Sequence, residues 1–370
     1  MDKQNPVFVR IILILLFLIL LIHSLIAARD FLYPLALAIL FAYMLYPFVR
    51  FLENRKVPRI LANLIGILST IAVISGVIYL LSVQLGTFVE DFPALKKQAL
   101  ANVDQLNDVI NEKLEISVDI KRDIIKERLT HLFESGSTFM NTAFSATTGT
   151  IVKLALIPVY IFFLLYYRNK FASFLLQLIP QHQHEKTTKI LGEVSHVTKR
   201  YMSGIVIVVL ILCILNSVGL LIVGVEYALL LGIISALFNF IPYFGTLIGG
   251  AVPLLFTLLM SDAPHKAIGV IILFLILQFI ENNILTPNIV GGNVKLNPFI
   301  TILSIIIGGI LWGVPGMIIS VPVLGMFKMV CEHVSGLSPY AYILGTEGTE
   351  RHAITLDKIR QFFKVKKKEP

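Results

Sequence analysis

The sequence predicts an all-α polytopic membrane protein with about seven to eight transmembrane helices. Three observations predict it. Of 370 residues, 56% are hydrophobic and 15% charged, with a mean hydropathy of +0.83, against about 25% charged in an average soluble domain. The apolar runs are continuous rather than alternating, which excludes the strands of a transmembrane barrel. In the C-terminal half those runs are cut by Pro and Gly, so kinked or re-entrant helices are expected there.

The elements follow in order. Ile11 to Ala28 is interrupted only by His23 and Ser24 and is followed at once by a second apolar run. It therefore reads as an uncleaved first span rather than a signal peptide. Phe31 to Val49 is the second span and Ile60 to Val83 the third, separated by a basic loop carrying Arg50, Arg55, Lys56 and Arg59. From Gln84 to Thr150 there are ten acidic and seven basic residues. Apolar residues recur there at helical spacing (Leu106, Val109, Ile110, Leu114, then Ile120, Ile124, Ile125, Leu129, Leu132, Phe133), as in amphipathic surface helices. Ile151 to Tyr167 is the fourth span, broken by Pro158, and a basic polar segment runs on to Arg200. Tyr201 to Val225 is the fifth span. Two short apolar stretches follow, Tyr227–Ile241 and Thr246–Met260, parted by Pro242 and Gly245. Ala267–Ile280 leads to a polar cluster. After the Gly291-Gly292-Asn293 turn comes Phe299–Val330, cut by Gly308, Gly309, Gly313, Pro315, Gly316 and Pro322.

Charge placement orients the chain. Lys3, Arg10, the 50–59 loop, the 168–200 segment and the Lys364–Lys368 tail belong on the cytoplasmic side, with the acidic 84–150 region outside. Both termini are then cytoplasmic. The expected organisation is three N-terminal transmembrane helices (1–83), an extracytoplasmic amphipathic helical insertion (84–150), a fourth helix with a basic cytoplasmic segment (151–200), a C-terminal core with broken helices (201–333) and a basic cytoplasmic tail (334–370). Each broken stretch is either one kinked crossing or a re-entrant hairpin. The net charge of +8 comes from topology signals and a lipid-facing tail, not from a nucleic-acid surface. Cys213 and Cys331 form no metal motif, and no cofactor, nucleotide-binding or enzymatic signature is present.

The most informative stretch is Gln278, Glu281, Asn282, Asn283, Thr286, Pro287 and Asn288. An ionisable group inside a membrane span marks a functional site by default. Gln278, Glu281 and Asn282 lie at i, i+3 and i+4, on one helix face. Hydrocarbon disfavours the charged form of the acid, the condition for reversible proton binding, and the amides can bond it or a polar ligand. The competing reading is a helix-end carboxylate that snorkels to water. The second candidate is the break at Pro242, Gly245, Gly249 and Pro253, with Asn239 beside it. Unwound backbone at membrane depth must be buried in protein or line a cavity, although Gly245 and Gly249 equally suit close helix packing. The break around Gly313, Pro315, Gly316 and Pro322 weakly repeats the first. His182 and His184 read as a solvated loop, Glu226 and Lys153 as snorkelling span ends, and Asn216 and Ser217 as helix contacts.

Phe240, Pro242, Gly245, Gly249 and Pro253, followed by Gln278, Glu281, Asn282 and Pro287 and then Asn297 and Pro298, resemble the AI-2E (autoinducer-2 exporter) family of bacterial transporters. Gly308, Gly309, Gly313, Gly316, Val321 and Pro322 fit the same pattern, as do Ala42, Tyr43, Leu45, Tyr46 and Pro47. The resemblance covers nearly the whole chain. It implies a homo-oligomeric inner-membrane protein that exports a small polar signalling molecule, such as autoinducer-2 in quorum sensing, or a sodium/proton antiporter. Within it, Gln278, Glu281, Asn282, Asn283 and Asn239 are expected to bind substrate or ion. Pro242, Gly245, Gly249, Pro253, Pro287, Gly309, Gly313, Pro315, Gly316 and Pro322 are expected to form breaks along the pathway. A non-transporting envelope scaffold engaging partners through 84–150 is the rival from a different class.

Overall fold

In a computed structural model of the chain, residues 6–114, 127–128, 130–131, 147–260, 264–290 and 296–347 are described. The apolar positions from Ile120 to Phe133, the Gly291-Gly292-Asn293 turn and the Lys364–Lys368 tail lie outside them. The described residues form an all-α polytopic membrane protein. Six helical segments are long and apolar enough to cross a membrane.

Helices α1 (Pro6–Ala27) and α2 (Arg29–Asn54) follow each other with hardly a break. No residue of the apolar α1 span is buried within the chain, as suits a helix whose solvent is lipid. α3 (Arg59–Leu114) does not stop where its apolar run ends but continues as one 56-residue helix. α4 (Thr147–Tyr166) packs against α2 and α3 around Ala38, Ala42, Val49, Ala62 and Ile161. The small residues let the backbones approach, which is how helices gain packing energy without a hydrophobic driving force. The short α5 (Arg168–Gln177) is tied back by Arg168, whose guanidinium grips both carboxylate oxygens of Glu53 at 3.0 and 2.5 Å.

α6 (His184–Val223) is the axis of the C-terminal half. It ends in a Schellman turn: Gly224 takes φ +78°, and the Val225 N–H reaches the Leu220 carbonyl. α7 (Ala228–Phe238) then runs back along it, with Gly232 against Ser217. At a rise of about 1.5 Å per residue, the 11 residues of α7 reach about 16 Å, half of a ~30 Å hydrocarbon core. The chain reverses at Pro242 and leaves as α8 (Phe244–Met260). Gly245 lies on Asn239 and Gly249 on Ser235. These pairs have a constant register, so α7 and α8 form an antiparallel hairpin. The break at Pro242 is thus a hairpin reversal and not a kink.

α9 (Pro264–Ile280) runs antiparallel to α6, with Gly219 on Leu273, and continues as a π-helix, Glu281–Val290, that seats Val290 on Gly204. α10 (Pro298–Trp312) starts with Asn297 accepting the Phe299 N–H at 3.0 Å and Pro298 in its first turn, a regular N-terminal cap. It reverses at Gly313 into α11 (Val314–His333). α12 (Ser338–Leu344) straps back to the start of α10 through Asn297 N–H to Leu344 O, 2.8 Å. Along α11, Ile319 packs by Met202 and His333 pairs with Glu193 at 3.0 Å. α11 is therefore antiparallel to α6 and α10 parallel to it. Since α7 is antiparallel to α6, the two hairpins point in opposite directions.

The second hairpin depends on two glycines for different reasons. Gly313 adopts φ +65°, ψ −146° with nothing near a β-carbon position, a backbone region reserved for glycine. Gly316 is helical, but a β-carbon there would collide with the Gly308 carbonyl. Gly313→Ala should cost about 1–3 kcal/mol through the backbone, and Gly316→Ala a similar amount through overpacking. Gly192→Ala, in open space on α6, should be neutral or slightly stabilising. Thermal unfolding in detergent checks the three together.

Candidate functional site

The tip of the α7–α8 hairpin, the start of the π-helix and one face of α6 enclose a cavity of about 470 Å³. α9 ends at Ile280, and the chain then winds with i→i+5 hydrogen bonds. Pro287 has no N–H to give to the preceding turn, and the widened winding accommodates it. Two amides bond to carbonyls of their own helix: Asn283 donates to Phe279 O at 2.9 Å and Asn288 to Ile284 O at 2.7 Å. The opposite face carries Gln278, Glu281, Asn282 and Thr286 into the cavity.

Asn239 and Pro242 bring the hairpin tip to the same space. Asn239 is held there from below, because Gly245 presses directly on its backbone and amide oxygen. From α6 come Thr198, Arg200 and Tyr201, and from the second hairpin Thr301 and Pro322. The remaining wall is apolar apart from Tyr243, and includes Ile205, Val208, Val209 and Val321. The cavity therefore offers one carboxylate, one guanidinium, amides and hydroxyls within an apolar enclosure. This is the lining of a small-molecule site, in which a few polar groups fix orientation. Thr198 is 2% exposed, and its hydroxyl has no hydrogen-bond partner among the described residues.

Register along α6 gives the depth. Leu212 is the midpoint of Tyr201–Val223, the apolar part of the helix. It lines a second, much smaller chamber of about 20 Å³ together with Asn239, Gln278 and Glu281. The acid and its amides thus stand near the middle of the span. They are not at its end, where a snorkelling carboxylate would sit. Asn216, Ser235, Gly245 and Gly249 complete the chamber.

Of the residues singled out from the sequence, Gln278, Glu281, Asn282, Asn239, Pro242 and Pro322 meet at the cavity, and Gly245 and Gly249 line the chamber. Asn283 does not join them. Pro253 is buried within α8, where its carbonyl accepts the Thr257 hydroxyl at 2.7 Å. Pro287 shapes the π-helix. Gly309, Gly313, Pro315 and Gly316 form the far end of the second hairpin, where Trp312 donates to Leu25 O at 3.0 Å. Sequence reasoning missed Thr198, Arg200, Tyr201 and Thr301. Charge placement gives Arg200 only a topology role. The available clue was helical spacing, since residues 197, 201, 205 and 208 share one face.

The family model described as AI-2E family transporter matches residues 11–336. The chain is 28% identical over 311 residues to YueF of Bacillus subtilis (strain 168), covering 80% of this chain and 82% of that protein. It is 25% identical over 342 residues to YhhT of Escherichia coli (strain K12), covering 91% and 94%. It is 24% identical over 343 residues to the AI-2 transport protein TqsA of the same organism, covering 90% and 95%.

The two faces of the π-helix can be told apart chemically. In a protein lacking Cys213 and Cys331, Asn282→Cys should react with a charged maleimide through the cavity. Asn283→Cys should react at least about tenfold more slowly, because a thiol in apolar surroundings stays protonated and unreactive. Equal labelling rates in native membranes would contradict the cavity as described.

Proposed function

The chain belongs to the AI-2E transporter family, and from that premise we propose a secondary transporter that exports a small polar solute across the bacterial inner membrane, coupled to an ion through Glu281. One observation carries the reading: a carboxylate near mid-span, flanked by Gln278, Asn282 and Asn239, faces a cavity built at a re-entrant helix break. Broken helices at the midplane are where secondary transporters hold substrate and coupling ions. The cavity's amides and hydroxyls suit a neutral or zwitterionic polar solute. One relative is named for AI-2 transport, so autoinducer-2 is the first solute to try. The basic segments support a cytoplasmic position for both termini.

Glu281 acts by its change of charge. Ionised, it needs a cation, a proton or the ligand's donors, because a bare carboxylate is costly at this depth. Protonated, it no longer does. Arg200, Tyr201 and Tyr243 are the other ionisable groups lining the cavity. Arg200 stands on the side where α6 leaves its apolar stretch.

In proteoliposomes with imposed proton and sodium gradients, the native chain should move labelled autoinducer-2 or another small polar solute. Glu281→Gln should lower gradient-driven flux at least about tenfold, or about 1.4 kcal/mol, while solute exchange without a gradient persists. A Glu281→Gln protein with native gradient-driven flux would place coupling elsewhere. A native protein that moves nothing would favour the envelope-scaffold role.

A further inference from the structure

We propose that the small chamber beneath the tip of the α7–α8 hairpin binds one dehydrated monovalent cation, sodium in kind, beside the solute cavity and sharing Glu281 with it. This deepens the ion-coupled reading above and rests on it. The chamber's space of about 20 Å³ is that of one water-sized particle. Its polar lining is all oxygen-bearing: the Glu281 carboxylate, the amides of Asn216, Asn239 and Gln278, and the Ser235 hydroxyl. No sulfur or imidazole lines it, which favours a hard cation. A single carboxylate suits one positive charge. Calcium takes about six to eight oxygens and magnesium keeps several of its waters, and neither shell fits here.

Ser235 is the independent observation. It is 1% exposed and its hydroxyl has no partner among the described residues. A serine inside a helix ordinarily turns onto the carbonyl one turn back, and this one does not. It also sits in the last turn of α7, with its own carbonyl turned to Gly249 across the hairpin. The glycines keep the volume open and the walls fixed. A β-carbon on Gly249 would stand 2.8 Å from the Ser235 carbonyl, and one on Gly245 would displace Asn239.

A buried water would satisfy the same groups, so the test must separate the two. It uses the purified full-length protein in detergent and needs no flux. Equilibrium binding of radioactive sodium is measured beside thermal unfolding in sodium, potassium and choline chlorides at equal ionic strength. Saturable sodium binding, with unfolding delayed by sodium and not by choline, is expected. Ser235→Ala and Asn216→Ala should each weaken that binding about tenfold or more. Ser69→Ala, exposed on α3, should match native. Should one chamber variant not fold, the other reads the same chamber from a different helix. A native protein indifferent to sodium, or Ser235→Ala binding sodium as native does, overturns the proposal and leaves the chamber to water. The two readings fail separately. Solute flux with no sodium binding removes the chamber and keeps the carrier. Sodium binding at Ser235 with native coupling in Glu281→Gln keeps the site and removes Glu281 as the coupling group.

Discussion

The architecture depends on one constraint: a chain that reverses inside hydrocarbon must satisfy its own backbone. The α7–α8 reversal does so largely from within. Asn239, Phe240 and Ile241 donate to the carbonyls three residues back, at 3.0, 3.2 and 3.0 Å, and Gly245 donates to Ile241 O at 3.0 Å. Pro242 occupies a position where no donor is needed. What the turn cannot satisfy must face protein or a wet cavity, and α6, α9 and the π-helix supply that wall. The cavity is thus a consequence of the reversal as much as a site added to it. The Asn239 side chain has to meet something polar, and Glu281 and Gln278 line the same space.

That reversal is also held from the far end of the hairpin. The far end of α8 would otherwise leave its last carbonyls without donors. The long α3 provides them: Gln98 donates to Met260 O at 2.7 Å and Asn102 to Leu259 O at 2.9 Å. The Tyr227 hydroxyl, just ahead of α7, donates to Asp91 at 2.5 Å. Both feet of the hairpin are therefore anchored on the same stretch of α3. This explains why that helix continues beyond its apolar run as one rigid rod.

Much of this was legible in the sequence, and the illegible parts have a common cause. Apolar runs give helices because only helices satisfy the backbone in lipid, so the spans could be read directly. The i, i+3, i+4 pattern placed Gln278, Glu281 and Asn282 on one face, and the structure puts a cavity against that face. Asn283, two residues beyond Glu281, falls about 200° further round the helix, so the same pattern sets it off that face. Kink and hairpin could not be separated, since Pro and Gly permit both. The decision rests on tertiary pairs such as Gly245 with Asn239 and Gly308 with Gly316. Periodicity identifies a face and leaves its partner open. For the same reason Gly309, Gly313 and Gly316, expected along a pathway, turn out to close a hairpin. Ser235, one hydroxyl in a short apolar helix, carried no signal until its missing partner was visible.

The distribution of close packing bears on how a carrier of this shape would move. Within each hairpin the helices meet backbone to backbone through glycine, Gly249 on Ser235 and Gly308 on Gly316. Such contacts have no slack, because a shift of either helix meets a carbonyl. Between the hairpins the contact is of another kind. Ile241 and Phe244 from the first meet Ile305, Met317, Ile318 and Val321 from the second, flexible apolar side chains that can slide. They adjoin the cavity rather than seal it. The two hairpins also point in opposite directions, so a displacement of one against the other would run along this seam beside the cavity. On the proposed reading, alternating access would then arise at this apolar seam, between units that stay rigid, and the charge state of Glu281 would bias it. An ionised acid without a cation favours the arrangement that admits water, and a neutralised one tolerates closure.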